Sequence, residues 1–192
     1  MKKILIGTHN RGKFREISYL ISKKYKKISP CSLKIKSPRE TGKSFASNSK
    51  LKANFFSKFV NFSVISDDSG LCIKALNNKP GIYSARLAKR HGSFFKAMKF
   101  ILAKMANVKD RSAIFICSLT YKNNKGKTVT VEGKLKGIIS TKILGRNGFG
   151  YDPIFIPDNK KITFGQMSKR KKIRMDHRFI AFQKLKRKIN IW

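Results

Sequence analysis

The chain reads as short apolar runs interleaved with stretches of helical period. Lys3-Ile4-Leu5-Ile6-Gly7 is an apolar strand. It runs into a polar, glycine-containing loop, Thr8 to Lys13, and then a helical pattern carrying Phe14, Ile17, Tyr19, Leu20 and Ile21. A second strand pair is expected between Lys26 and Lys36, punctuated by Ser29-Pro30. Beyond the turn at Ser37 to Gly42, Phe45 to Phe59 reads as an amphipathic helix with Phe45, Ser49, Lys52, Ala53, Phe56 and Val60 on one face. Val64-Ile65 looks like the end of a buried strand, with Gly70 allowing a sharp turn before a new strand, Leu71 to Leu76. Phe94 to Met105 is helical, and Ala113 to Tyr121 pairs with Thr128 to Glu132 through a turn at Asn123 to Gly126, the pattern of a β-hairpin. A glycine-rich loop from Gly145 to Gly150 leads to a short strand at Ile154 to Ile156. The last helix, Phe179 to Ile189, has an apolar stripe at Phe179, Phe182 and Leu185.

At 192 residues the chain fits one domain, or one with a small lobe, and can bury roughly 70% of its unfolded surface. No apolar run is long enough to span a bilayer, which predicts a protein without a membrane segment. The basic-then-apolar start, Met1 to Ile6, breaks at Gly7-Thr8-His9-Asn10, too soon for an export signal, so a cytoplasmic location is expected. Cys31, Cys72 and Cys117 are widely spaced and form no CxxC pair. The net charge of +36 raises a rival reading, a basic RNA-associated protein held by phosphate contacts. Lysines are spread through nearly every element, however, and only residues 160 to 188 are enriched, with 12 Lys+Arg in 29 positions against 45 in 192 overall. The charge predicts non-specific affinity for polyanions and attraction of anionic substrates.

Against that background two adjacent acids, Asp67 and Asp68, need an explanation, because the chain has only nine Asp+Glu. Either they cap a loop, or they hold a divalent cation against an anionic substrate, since Mg²⁺ takes one or two carboxylates plus substrate phosphates. Neighbours on an extended chain point in opposite directions, so the two acids are expected to do different jobs. Strand, polar loop and helix at Thr8 to Lys13 is the geometry of a phosphate cradle, or of an ordinary turn capped by Thr8 or Asn10. Lys52 either snorkels or reaches a phosphate. Phe149-Gly150-Tyr151-Asp152 is either an aromatic stack for a base or a core corner.

Taken together these segments resemble the noncanonical purine nucleoside triphosphate pyrophosphatases, the inosine-triphosphatase or XTP/dITP diphosphatase family, across nearly the whole chain. T/S-x-N-x-x-K-x-x-E falls on Thr8 to Glu16, E-T-G on Glu40-Thr41-Gly42, and N-A-x-x-K-A is approximated by Asn48 to Ala53. D-D-S-G-L is intact from Asp67 to Leu71, P-G-I-Y-S-A-R from Pro80 to Arg86, and F-G-Y-D-P from Phe149 to Pro153; K-x-x-x-x-H-R falls on Lys172, His177 and Arg178. The resemblance implies a hydrolase acting on acid anhydrides, cleaving ITP, dITP and XTP to the monophosphate and pyrophosphate with Mg²⁺ and so cleansing the nucleotide pool. It implies a single domain over residues 1–192, inosine-triphosphatase-like. That fold is α/β and two-lobed, with a long mixed sheet flanked by helices and the active site in the inter-lobe cleft, usually as a homodimer.

Carried over by position, Thr8, His9, Asn10, Arg11, Gly12, Lys13 and Lys52 would bind the triphosphate and Ser69 would touch substrate. Asp68 would be metal ligand and proton acceptor, with Asp67 a second candidate ligand. Phe149, Gly150, Tyr151, Asp152, Lys172, His177 and Arg178 would surround the base. Donors among the last three would favour a 6-oxo purine over adenine. Two departures stand out. Ser47 occupies the place of a family glutamate that is usually a metal ligand, which predicts weaker Mg²⁺ affinity or a geometry using Asp67, Glu40 or extra waters. Asp176 replaces a serine, and is expected to pair with Lys172 or Arg174. The alternatives are a pyrophosphatase for other nucleotides, or the RNA-associated protein keeping the fold with weak or no activity.

Overall fold

In chain order the elements are β1 (Lys2–Ile6), α1 (Arg11–Leu20), β2 (Tyr25–Ile28), α2 (Phe45–Phe56), β3 (Ser63–Ile73), β4 (Lys79–Pro80), α3 (Ser84–Arg90), α4 (Phe94–Lys104), β5 (Ser112–Lys122), β6 (Thr128–Ile139), β7 (Phe155–Pro157), α5 (Lys169–Lys172) and α6 (His177–Ile189). They come from a computed structural model that describes residues 1–189. The strands form one sheet in the order β2-β1-β3-β5-β6-β7, with β4 paired to β3. β1 runs parallel to both β2 and β3, whereas β4 on β3 and β7 on β6 are antiparallel, so the sheet is mixed. The expected α/β class with a long mixed sheet and helices is borne out.

The chain divides into two compact units. One comprises Met1–Asp68, Cys117–Gly133 and the segment from Arg178 on; the other comprises Ser69–Ile116 and Lys134–His177. Strands β3, β5 and β6 contribute residues to both.

The first unit is built on β1, whose alternation sends Ile4 and Ile6 to one face and Leu5 to the other. Ile4 and Ile6 join Ile17 of α1, Ile21 just after it, and Ala181, Phe182 and Leu185 of α6. Leu5 meets Phe56 of α2 and Val64 of β3. Phe56 is fully buried, and cutting it to alanine would cost about 3–5 kcal/mol. The close approach of β1 to β3 is set by Gly7, where a Cβ would lie 2.2 Å from Ser66 Oγ and 2.6 Å from the Phe56 ring. In the second unit a separate core gathers Leu71 and Ile73 of β3, Ala97 and Ile101 of α4, Phe115 of β5, and Phe155 and Phe164.

Several expectations about local structure are corrected. Asp67 and Asp68 do not sit at a strand edge before a turn: β3 runs unbroken for 11 residues through Ser66-Asp67-Asp68-Ser69-Gly70 into Ile73. Gly70 serves close packing instead, because a Cβ there would lie 2.2 Å from the Gly81 carbonyl oxygen. The strand expected at Leu71 to Leu76 is the end of β3 followed by a 3-10 turn, Lys74–Leu76. Only one strand, β2, occupies the region of the expected pair, because Pro30 starts a 3-10 turn at Cys31–Leu33. The helix expected to reach Phe59 ends at Phe56 and tightens into a 3-10 turn. Helix α3, short and flanked by glycines, was not expected.

Candidate active site

In the first unit, β3 presents Asp67 and Asp68 to different partners, as the strand period requires. Asp67 is fully buried; its Oδ2 lies 3.0 Å from Lys13 Nζ and 3.8 Å from Arg178 Nε. Burial raises its pKa, but Lys13, Lys52 and Arg178 outweigh that and hold the carboxyl below the usual carboxylate range. Asp68 Oδ2 accepts a hydrogen bond from Asn48 Nδ2 at 3.0 Å, and its Oδ1 lies 3.9 Å from Lys52 Nζ. Here burial wins: it pushes the carboxyl up despite Lys13 and Lys52, and nearby Glu40 adds to the rise. Two adjacent acids thus become a carboxyl lowered in pKa by the cations around it and a more basic carboxylate.

Helix α2 supplies the partners of Asp68. Its N-cap, Ser44, and Ser47 satisfy each other's backbone groups in a capping box, with Ser47 Oγ accepting from Ser44 N at 2.9 Å. Ser47 is therefore engaged in starting the helix. One residue on, the fully buried Asn48 has both ends of its amide used. Oδ1 accepts from Gly42 N at 2.8 Å, which leaves Nδ2 to aim at Asp68. Gly42 is required there, since a Cβ would lie 2.6 Å from Asn48 Oδ1. A turn later Lys52, 5% exposed, pairs with Glu40 Oε1 at 2.5 Å rather than snorkelling outward. Burial lowers the Lys52 pKa, but Asp67, Asp68 and Glu40 together hold it above its ordinary value. The register of α2 is pinned by hydroxyls: Ser49 Oγ lies 3.0 Å from Ser118 Oγ and 2.8 Å from Thr120 Oγ1, and Thr120 continues to Thr130 Oγ1 at 2.9 Å.

The Thr8–Lys13 loop lies in the same unit. Asn10 is the N-cap of α1, and its Oδ1 accepts from Gly12 N at 2.9 Å and Lys13 N at 3.0 Å. Of the two readings of this loop, the turn capped by Asn10 is the one seen: the asparagine side chain takes both N–H groups. Thr8 Oγ1 accepts from Asn10 N at 3.2 Å, His9 Nε2 lies 2.9 Å from the Ile35 carbonyl oxygen, and Arg11 is exposed. Arg178, expected beside the base, belongs to this cluster; its Nη1 donates to Glu16 Oε2 at 2.9 Å.

The second unit holds the later motifs. Lys172, 3% exposed, pairs with Asp152 Oδ2 at 2.6 Å and lies 4.7 Å from the Phe149 ring centroid. Asp152 is thus a short-range carboxylate partner of Lys172. Asp152 Oδ2 also accepts from Phe149 N at 2.8 Å, a contact possible because a Cβ at residue 148 would lie 2.0 Å from that oxygen and Gly148 has none. His177 stacks on Phe115 with ring centroids 4.7 Å apart. Tyr151 is buried, donates from its hydroxyl to the Ser84 carbonyl at 2.9 Å and meets Phe94 edge-on, so it is a core corner; burial pushes its phenol up. Phe149 and Gly150 are half-buried, and so is Ser69 after Asp68 on β3.

Asn48 and Glu16 were given no role from sequence, and Glu40 only that of a substitute metal ligand in place of the one lost at Ser47. The available signal was scarcity: both glutamates stand in the quoted motifs of a chain with nine acids. Among the described residues no three His, Cys, Asp or Glu side chains converge as a closed metal site. Asp68 and Glu40, both reaching the Lys52 ammonium, are nevertheless hard oxygen donors of the type and number that Mg²⁺ takes when phosphates complete its shell. No helix among the described residues is long and apolar enough to cross a membrane.

Residues 4–188 match the model of the Ham1 family. A dITP/XTP pyrophosphatase of Caulobacter vibrioides is 38% identical over 186 residues, 96% of this chain and 96% of that protein. One from Clostridium perfringens is 38% identical over 197 residues, covering 97% and 96%. Among solved structures, the Staphylococcus aureus Ham1 protein aligns with a TM-score of 0.87 at 35% identity over 98% of each chain. A HAM1 protein from Coxiella burnetii aligns with a TM-score of 0.87 at 30% identity over 99% of each.

Proposed function

The chain belongs to the Ham1 family, and on that premise we propose that it hydrolyses dITP, XTP and ITP to the monophosphate and pyrophosphate. The observation that carries this reading is Asp68: a buried carboxylate, raised in pKa, aimed by Asn48 at 3.0 Å and flanked by the Lys52 ammonium at 3.9 Å. In this reading Asp68 accepts a proton from the water that attacks the α-phosphorus. The α–β bridging oxygen leaves with pyrophosphate. A raised pKa makes Asp68 a better base. Lys52 stays charged among three carboxylates and stabilises charge building on the non-bridging oxygens. Lys13 is held by Asp67, so its charge is ordered before substrate arrives.

Asp68, with Glu40 as a second carboxylate at the same Lys52 ammonium, would hold Mg²⁺, which when bound neutralises phosphate charge and orders water. Asp67 is assigned to the ion-pair cluster instead. Lys172, backed by Asp152, would donate to the 6-oxo group of hypoxanthine or xanthine, where adenine offers only a clashing amino donor. A homodimer and a cytoplasmic site of action belong to the same reading, and light scattering on the purified chain checks the first.

Pyrophosphate release from dITP, XTP, ITP, dGTP and dATP, with and without Mg²⁺, tests the proposal. Release is expected from the first three and lost in Asp68→Asn. Equal rates on dATP would defeat the selectivity argument, and no release from any nucleotide would defeat the whole reading.

A further inference from the structure

Helix α4 buries Ala97, Met98 and Ile101 and turns Phe95, Lys96, Lys99, Phe100 and Lys104 outward. Phe95 is 52% exposed and Phe100 39%, unusual for rings of this size. At about 100° per residue the two rings bound an outward arc of roughly 140°, with Lys96 and Lys99 between them. Each ring carries a cation: Lys99 Nζ is 4.9 Å from the Phe95 centroid and Lys104 Nζ is 5.9 Å from that of Phe100. Residues 69 to 109 contain no Asp or Glu, so no carboxylate from this stretch offsets that charge.

Lysines alone would suit any polyanion, and exposed rings alone would suit any apolar partner. The two together complement a chain that carries phosphates and accessible planar bases. We infer that this face of α4 binds single-stranded nucleic acid, with bases stacking on Phe95 and Phe100 and phosphates meeting Lys96, Lys99 and Lys104. A duplex fits less well, since its bases are already stacked on one another. A second copy fits less well because a two-fold interface would press the same lysines together. The segment richest in charge by sequence, residues 160 to 188, is a weaker candidate, since Lys172 and Arg178 in it are buried in ion pairs.

The test is fluorescence anisotropy on the full chain, using a labelled oligouridylate of about a dozen nucleotides and a duplex of equal length over a KCl series. The wild type should prefer the single strand. Phe95→Leu/Phe100→Leu should lose roughly tenfold or more in affinity with an unchanged salt slope, because stacking is removed and charge kept. Tyr19→Leu, removing a ring 56% exposed on α1, should bind as wild type. If the double leucine variant does not fold, Lys99→Gln/Lys104→Gln should lower the salt slope by about 1.4. The inference is overturned by wild-type binding in the leucine variant, by duplex binding as tight as single-strand binding, by an unchanged slope in the glutamine variant, or by light scattering that shows a dimer dissociated by the leucine pair.

Discussion

Asn48 holds Asp68 at 3.0 Å through Nδ2 while its own Oδ1 is fixed at 2.8 Å by the Gly42 N–H. The buried amide can face only one way, so the carboxylate is oriented before any ligand arrives. Asn48→Ala should therefore lower kcat roughly 10- to 100-fold with a smaller change in KM, the pattern of a lost orienting contact. Asn48→Asp, which sets a like charge against Asp68, should be worse. Steady-state kinetics on dITP decides it, and a pure KM effect would count against the orienting role.

The two acids on β3 should respond oppositely in the metal-free protein. Asp67 has a lowered folded pKa, so its stabilisation is complete above its unfolded value near 3.8 and fades as pH falls through the folded one. Asp67→Asn takes from Lys13 the carboxylate that lies 3.0 Å away and should cost about 3 kcal/mol at neutral pH, a deficit that shrinks in acid. Asp68 has a raised folded pKa, so its ionised form destabilises the fold once pH rises through that value. Asp68→Asn should melt no lower than wild type while abolishing pyrophosphate release. Thermal melts at neutral and acid pH would expose the reverse ordering.

Ser47 spends its hydroxyl on the α2 capping box with Ser44. Glutamate at this position can still close a capping box, and it adds a carboxylate within the same helical turn as Asn48. Ser47→Glu should bind Mn²⁺ or Mg²⁺ more tightly by titration calorimetry and lower the Mg²⁺ concentration needed for half-maximal rate. Unchanged affinity would show that Glu40 and Asp68 already suffice.

Lys172 and Asp152 form a buried pair at 2.6 Å, so removing one partner leaves an uncompensated charge. Lys172→Met should destabilise by roughly 3–5 kcal/mol, and the double variant Lys172→Met/Asp152→Leu should recover part of that. In the folded fraction the ratio of kcat/KM for dITP over dATP should fall about tenfold or more, as expected for one lost donor to a 6-oxo group. A preserved ratio would remove Lys172 from base selection.

Much of this was legible in the residues. The run Lys3 to Gly7 and the helix period from Phe14 are local signals, and the two-residue alternation that separates Asp67 from Asp68 follows from any extended backbone. The continuity of β3 through Ser66 to Gly70 was not legible, because a buried polar run lacks the apolar pattern that marks a strand. Nor was the capture of the Gly12 and Lys13 N–H groups by Asn10, since cap and cradle share one sequence signature.

The sequence by itself determined β1, the helix after it and the last helix, the family motifs and the scarcity of acids that made Asp67 and Asp68 conspicuous. Only the tertiary structure decided which cation each acid meets. Glu16 finds Arg178 from 162 residues away, and Lys52 reaches Glu40 and Asp68 together, because burial removes water and leaves each charge to be satisfied by whatever the packing brings within a few ångströms. No local period encodes that choice.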